Sequence, residues 1–83
     1  MRTIKELLEL MLNHLIEQKK INSGLCKYTY DLFIYNLITD DEYMLLIDFI
    51  NNYTFCQKIS YLFPKGEYEP RINWLKERIN ELN

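Results

Sequence analysis

Leu37-Ile38-Thr39-Asp40-Asp41-Glu42-Tyr43 is the stretch on which the fold turns. Thr39 is an N-cap residue and Glu42 stands three positions on, which is the pattern of a reciprocal capping box. Asp40 and Asp41 lie where the positive end of a helix dipole favours negative charge. A helix therefore starts here, predicted over 40–52, with Tyr43, Leu46, Ile47 and Ile50 facing inward and Asn51-Asn52 as its left-handed stop. The residues before it read as another helix, 24–37, and only Ile38 and Thr39 separate the two. So short a connection requires an antiparallel helical hairpin.

The hairpin's first helix carries two apolar stripes. One is Leu25, Tyr28, Leu32 and Tyr35; the other is Tyr30, Phe33, Ile34 and Leu37. A helix apolar on most sides is either central to its own bundle or shared with a partner. In a domain this small the central position is the first expectation and dimerisation the second. Asn22 or Ser23 is the expected cap.

Upstream, Thr3 and Glu6 form a second capping box. Ile4, Leu7, Leu8, Met11 and Leu15 then recur at helical spacing, predicting a helix over 4–20 that ends on Lys19 and Lys20, where cations suit the dipole. His14 falls at the border of this stripe and reads as a partly exposed surface histidine. Downstream, 53–69 reads as an aromatic-rich loop with Tyr53, Phe55, Tyr61 and Phe63 pinning it to the helices, a short hairpin being the alternative. Pro64-Lys65-Gly66 makes a turn, and Glu69 is disfavoured as helix because it precedes a proline. Pro70 opens the last helix, 70–82, with Ile72, Leu75, Ile79 and Leu82 inward. Trp74 and Arg78, four apart, are expected to stack. The architecture is all-α: one small domain, 1–83, of four helices.

Composition narrows the function. The chain has 83 residues, 48% of them hydrophobic, and a net charge of −2. Nucleic-acid binding rests on many Lys and Arg contacts to phosphate, so no DNA partner is expected. A helix-turn-helix reading of the hairpin meets the acidic start of its second helix. Charge is uneven: 31–55 contains Asp31, Asp40, Asp41, Glu42 and Asp48 and no Lys or Arg. Asp40, Asp41 and Asp48 are the candidate contacts to a basic partner. The longest run free of charge, Phe49–Gln57, is far short of a membrane span. Cys26 and Cys56 are far apart in the chain and form no CxxC pair; they read as buried thiols in a reducing cytosol. His14 cannot build a familiar metal site with them, and no metal or other cofactor is expected. The acidic cluster lacks the ligand alternation and glycine of a calcium loop. No catalytic motif is present, so a non-enzymatic protein is expected.

The start of the last helix offers a candidate ligand site. Arg71 opposes the helix dipole, Lys65 lies on the turn before it, and Tyr68 and Trp74 supply aromatic faces for a nucleotide or other anion. Glu67 and Glu69 neutralise these cations locally, which makes a salt-bridged structural corner the competing reading.

The run Phe63-Pro64-Lys65-Gly66-Glu67-Tyr68-Glu69-Pro70-Arg71-Ile72-Asn73-Trp74-Leu75, following the hairpin stretch, resembles small proteins encoded by bacteriophages and prophages. Those proteins carry an aromatic-Pro-Lys-Gly-Glu stretch, then Glu-Pro-Arg and Trp-Leu. The resemblance covers 24–82 and implies the cytoplasm of a bacterial host. It also implies binding as the mode of action: inhibiting or modulating a host protein, a defence protein among the candidates, or sequestering a nucleotide.

Overall fold

In the computed structural model, residues 1–18, 24–54 and 69–83 are described. They form four helices: α1 (Ile4–Gln18), α2 (Leu25–Ile34), α3 (Asp40–Thr54) and α4 (Glu69–Glu81). The principal packing pairs are α1 with α4, α2 with α3, and α1 with α3. The all-α architecture and the α2–α3 hairpin thus stand as the sequence implies, but the middle of the bundle belongs to α1. Leu7, Leu8, Met11 and Leu15 of α1 are wholly buried, with Leu25, Leu32, Leu46, Ile50 and Leu75 from the other three helices. Each of these side chains contributes on the order of 2 kcal/mol by leaving water.

Both capping boxes form. Thr3 N–H donates to Glu6 Oε1 at 2.9 Å and Glu6 N–H to Thr3 Oγ1 at 3.2 Å. Thr39 and Glu42 repeat the pair at 2.9 and 3.2 Å. The Thr3 backbone N–H and hydroxyl hold the Glu6 carboxyl below its ordinary pKa. Lys19 and Lys20 lie outside the described residues.

The two hairpin helices end differently from the sequence reading. α2 stops at Ile34, short of the expected Leu37, on a Schellman motif. Leu37 N–H donates to Leu32 C=O at 2.9 Å and Asn36 N–H to Phe33 C=O at 3.0 Å. Asn36 takes the left-handed conformation this requires, at φ 61°. The connection therefore spans 35–39 rather than Ile38 and Thr39 alone. The expected stop at Asn51-Asn52 is not used: α3 continues to Thr54, absorbing the start of the expected loop. The rest of that loop, including Phe55, Tyr61 and Phe63, lies outside the described residues, as does Cys56. Gly24, in extended backbone, is the N-cap of α2; Asn22 and Ser23, named for that role, also lie outside.

At the other end, Glu69 is already helical, one position ahead of Pro70. Ile72 and Leu75 are buried and Ile79 is half-buried, whereas Leu82 lies past the helix end and is exposed. The Arg78 guanidinium sits 5.3 Å from the Trp74 ring centroid, as the spacing suggests, and also pairs with Glu77 and Glu81.

One tie has no counterpart in the sequence reading. Glu42 is 2% exposed and accepts hydrogen bonds from the Arg2 backbone N–H and from Arg2 Nε, both at 3.0 Å. Arg2 Nη2 reaches the Leu37 carbonyl at 3.0 Å. The N-terminal segment is thereby stapled to the α2–α3 turn. Donation from the Thr39 backbone N–H, and then from Arg2, holds the Glu42 carboxyl down at about 2.

Candidate functional site

The outer face of the α2–α3 hairpin gathers exposed apolar and acidic side chains. Helical periodicity points the α2 side chains Leu25, Tyr28 and Leu32 inward, where they are buried. Lys27, Tyr30 and Ile34 occupy the opposite side and are exposed. The expectation that α2 lies centrally is corrected here: Tyr30 and Ile34 of its second apolar stripe face out, and Phe33 is half-buried against Tyr43, because among the described helices α2 packs chiefly on α3. On α3, Glu42, Leu46 and Ile50 face inward, while Tyr43 and Ile47 are only half-buried. Asp40, Met44 and Asp48 follow one another at intervals of four and form a single outward stripe.

An aromatic cluster joins the two outward stripes across the seam. Phe33 stacks on Tyr43 with ring centroids 5.4 Å apart, and Tyr30 meets Tyr43 edge-on at 5.9 Å. Such pairs contribute about 0.5–1.5 kcal/mol beyond area burial, and here they form an aromatic floor between the helices. Beside that floor Ile34 is 49% exposed and Met44 52%; Tyr35, just past the end of α2, is 70% exposed. Exposed large hydrophobics among the described residues are Met1, Ile16, Tyr30, Ile34, Tyr35, Leu37, Met44 and Leu82, so most of them crowd into 30–44. Scattered apolar side chains need no explanation; a cluster of them does.

The charge on this face is one-sided. Asp31 pairs with Lys27 at 2.7 Å, and the exposed Lys27 ammonium is held above its ordinary pKa by that bond. Glu42 is neutralised by Arg2. Asp40, Asp41 and Asp48 are exposed and make no ion pair among the described residues. Asp40 and Asp41 also satisfy the α3 dipole, which accounts for two of the three; Asp48, mid-helix, has no such structural duty. All three predicted partner-binding residues lie on α3: Asp40 and Asp48 share the outward stripe of Met44, while Asp41 lies on the side of Met1, Arg2 and Glu6.

The other candidate residues are placed differently. Arg71 is 1% exposed and Trp74 8%, both within the packed body, and Arg71 is engaged in the fold. Lys65 and Tyr68 lie outside the described residues. Arg71 and Trp74 therefore present no open cationic or aromatic face.

A second surface feature runs along α1: an open groove of about 480 Å³ whose walls include Arg2, Glu6, Glu9, His14 and Glu17. His14 is hydrogen-bonded to the Tyr28 hydroxyl. Burial, and then the negative charges of Asp31 and Glu17, push the Tyr28 phenol well above its ordinary pKa. Cys26 is half-buried with Sγ 3.6 Å from Asn51 Oδ1. Among the described residues no group of three or more His, Cys, Asp or Glu is arranged to hold a metal ion, and no helix is long and apolar enough to cross a membrane.

Comparison with protein-family models, with curated proteins and with solved structures finds no match.

Proposed function

We propose that this chain is a non-enzymatic binding protein that inhibits or modulates another protein through the outer face of its α2–α3 hairpin. One observation carries the reading: Tyr30, Ile34 and Met44 are exposed beside the α2–α3 seam, on a side that also bears Asp40 and Asp48, unpaired among the described residues. Apolar surface left in water has no folding benefit, and an aromatic floor with carboxylates beside it suits a desolvating contact with charge selection at its edge. The resemblance to phage and prophage proteins supplies the context, a bacterial host protein in the cytoplasm as the target, with a defence component as one such target. The alternative, nucleotide or anion sequestration by Lys65, Tyr68, Arg71 and Trp74, has the burial of Arg71 and Trp74 against it.

The test is affinity purification of the full chain from host cells, wild type beside D40K/D41K/D48K. The expected result is a stoichiometric protein partner that the triple charge reversal releases. Recovery of the protein alone, or an equal yield of partner with the variant, contradicts the reading.

A further inference from the structure

We infer that the outer face of the hairpin receives a basic amphipathic helix, laid in the seam between α2 and α3. This deepens the proposed function and rests on it. Two antiparallel helices leave a shallow trough between them, and a third helix is the element whose ridges fit such a trough. The trough has a floor, the stacked Phe33 and Tyr43, and raised apolar flanks, Ile34 on α2 and Met44 on α3. Met44 is an adaptable flank because its side chain is unbranched and polarizable. The helix α2 has 10 residues. The trough is therefore about 15 Å long, roughly three turns of a partner helix.

Charge selects among occupants. Asp40 and Asp48 lie one turn either side of Met44 and are unpaired among the described residues. A helix filling the trough therefore passes a carboxylate at two points along its length. Lys or Arg flanking the apolar stripe of the incoming helix would meet them. A second copy of this chain is a poor occupant. A two-fold contact sets a patch against itself, and here it would bring acidic residues against acidic residues. An acidic or neutral helix leaves the same carboxylates unmet.

The experiment uses two synthetic helical peptides of about 14 residues with identical Leu positions at helical spacing. One carries Lys at every polar position and the other Glu. Each is titrated into the isotopically labelled full-length chain, and binding is followed by amide chemical shifts. The expected result is binding of the Lys peptide about tenfold or more tighter than the Glu peptide, with shifts centred on 30–48. D48K alone should weaken the Lys peptide, and D40K/D48K should reverse the preference. Asp48 is mid-helix, so D48K does not disturb the α3 start. Shifts centred on the α1 groove at Glu6, Glu9 and Glu17, or affinity unchanged in D48K, would overturn the inference. So would concentration-dependent self-association through this face that the Lys peptide fails to disrupt. Failure of both peptides while the charge-reversal purification still releases a partner overturns the helix and leaves the proposed function standing. Failure of both experiments removes both.

Discussion

The start of α4 and the outer face of the hairpin make an instructive pair. Both carry charged and aromatic residues at helical spacing. At the start of α4, Arg71 and Trp74 have been drawn into the protein and serve the packing of that helix. On the hairpin, Tyr30, Ile34 and Met44 have been left out in water beside Asp40 and Asp48. Composition makes the first look like a site and the second like core. The difference is a matter of neighbours among the described helices: α4 packs on the central α1, while α2 has α3 as its principal contact and leaves Tyr30 and Ile34 exposed.

Substitutions that hurt one region and spare the other separate the two most clearly. Trp74→Ala removes a buried indole that the Arg78 guanidinium covers. It should cost about 3–5 kcal/mol in a denaturant titration. Arg71→Ala should also act through stability, because it empties a buried position, so a loss of any ligand in that variant would have to be separated from unfolding. Ile34→Glu and Met44→Glu should stay within about 0.5 kcal/mol of wild type while abolishing partner recovery. If they destabilise as Trp74→Ala does, the hairpin face is core and has no binding role.

The Arg2–Glu42 tie distinguishes a carboxylate that stabilises from carboxylates free to bind. Glu42→Ala should cost about 2–3 kcal/mol, since it leaves Thr39 N–H and the Arg2 donors unmet. The pH sign follows from the lowered pKa. The folded-state value, about 2, lies below the ordinary carboxylate value of 4.5, so the unfolded chain binds the proton more readily. The stabilisation is present above the unfolded value and lost as pH falls from about 4.5 toward 2. Thermal melts across that window should show a steeper loss for wild type than for Glu42→Gln.

Smaller effects locate the hairpin turn. Asn36→Val places a β-branched residue at φ 61°. That change should cost about 1–2 kcal/mol by thermal melt, whereas Asn36→Gly should be neutral or stabilising. Gly24 sits at φ −68°, in extended backbone, and α2 has no side-chain cap. A Cβ there meets nothing within 4 Å. Gly24→Ser should therefore stabilise slightly, by roughly a few tenths of a kcal/mol. A destabilised Gly24→Ser would show that the α2 start is set by something other than its cap.

Much of the fold was legible in the residues. Thr39/Glu42 and Thr3/Glu6 announced two helix starts because capping is local, and Leu25/Tyr28/Leu32 announced one buried face because periodicity is local. The end of α2 was legible too: Asn36 was a left-handed stop of the kind assigned instead to Asn51-Asn52. What local pattern does not reveal is which of two apolar stripes finds a neighbour. That depends on the relative placement of four helices, and it moved Tyr30 and Ile34 to the surface. The same limit hid Arg2, whose partner Glu42 is distant in the chain. Asp40, Asp41 and Asp48 were visible as candidates because unbalanced charge is a property of sequence, but the patch that gives them a role was not.

The functional reading stands or falls on whether the outer face of the hairpin, rather than another described surface, contacts a partner. Position-resolved photocrosslinking in host cells decides this, with a photoreactive residue at Met44 in one version of the full chain and at the exposed Asn80 of α4 in another. The expected result is one discrete protein adduct from position 44, absent in the D40K/D48K background, and none from position 80. No adduct from 44, or the same adduct from both positions, would contradict the reading.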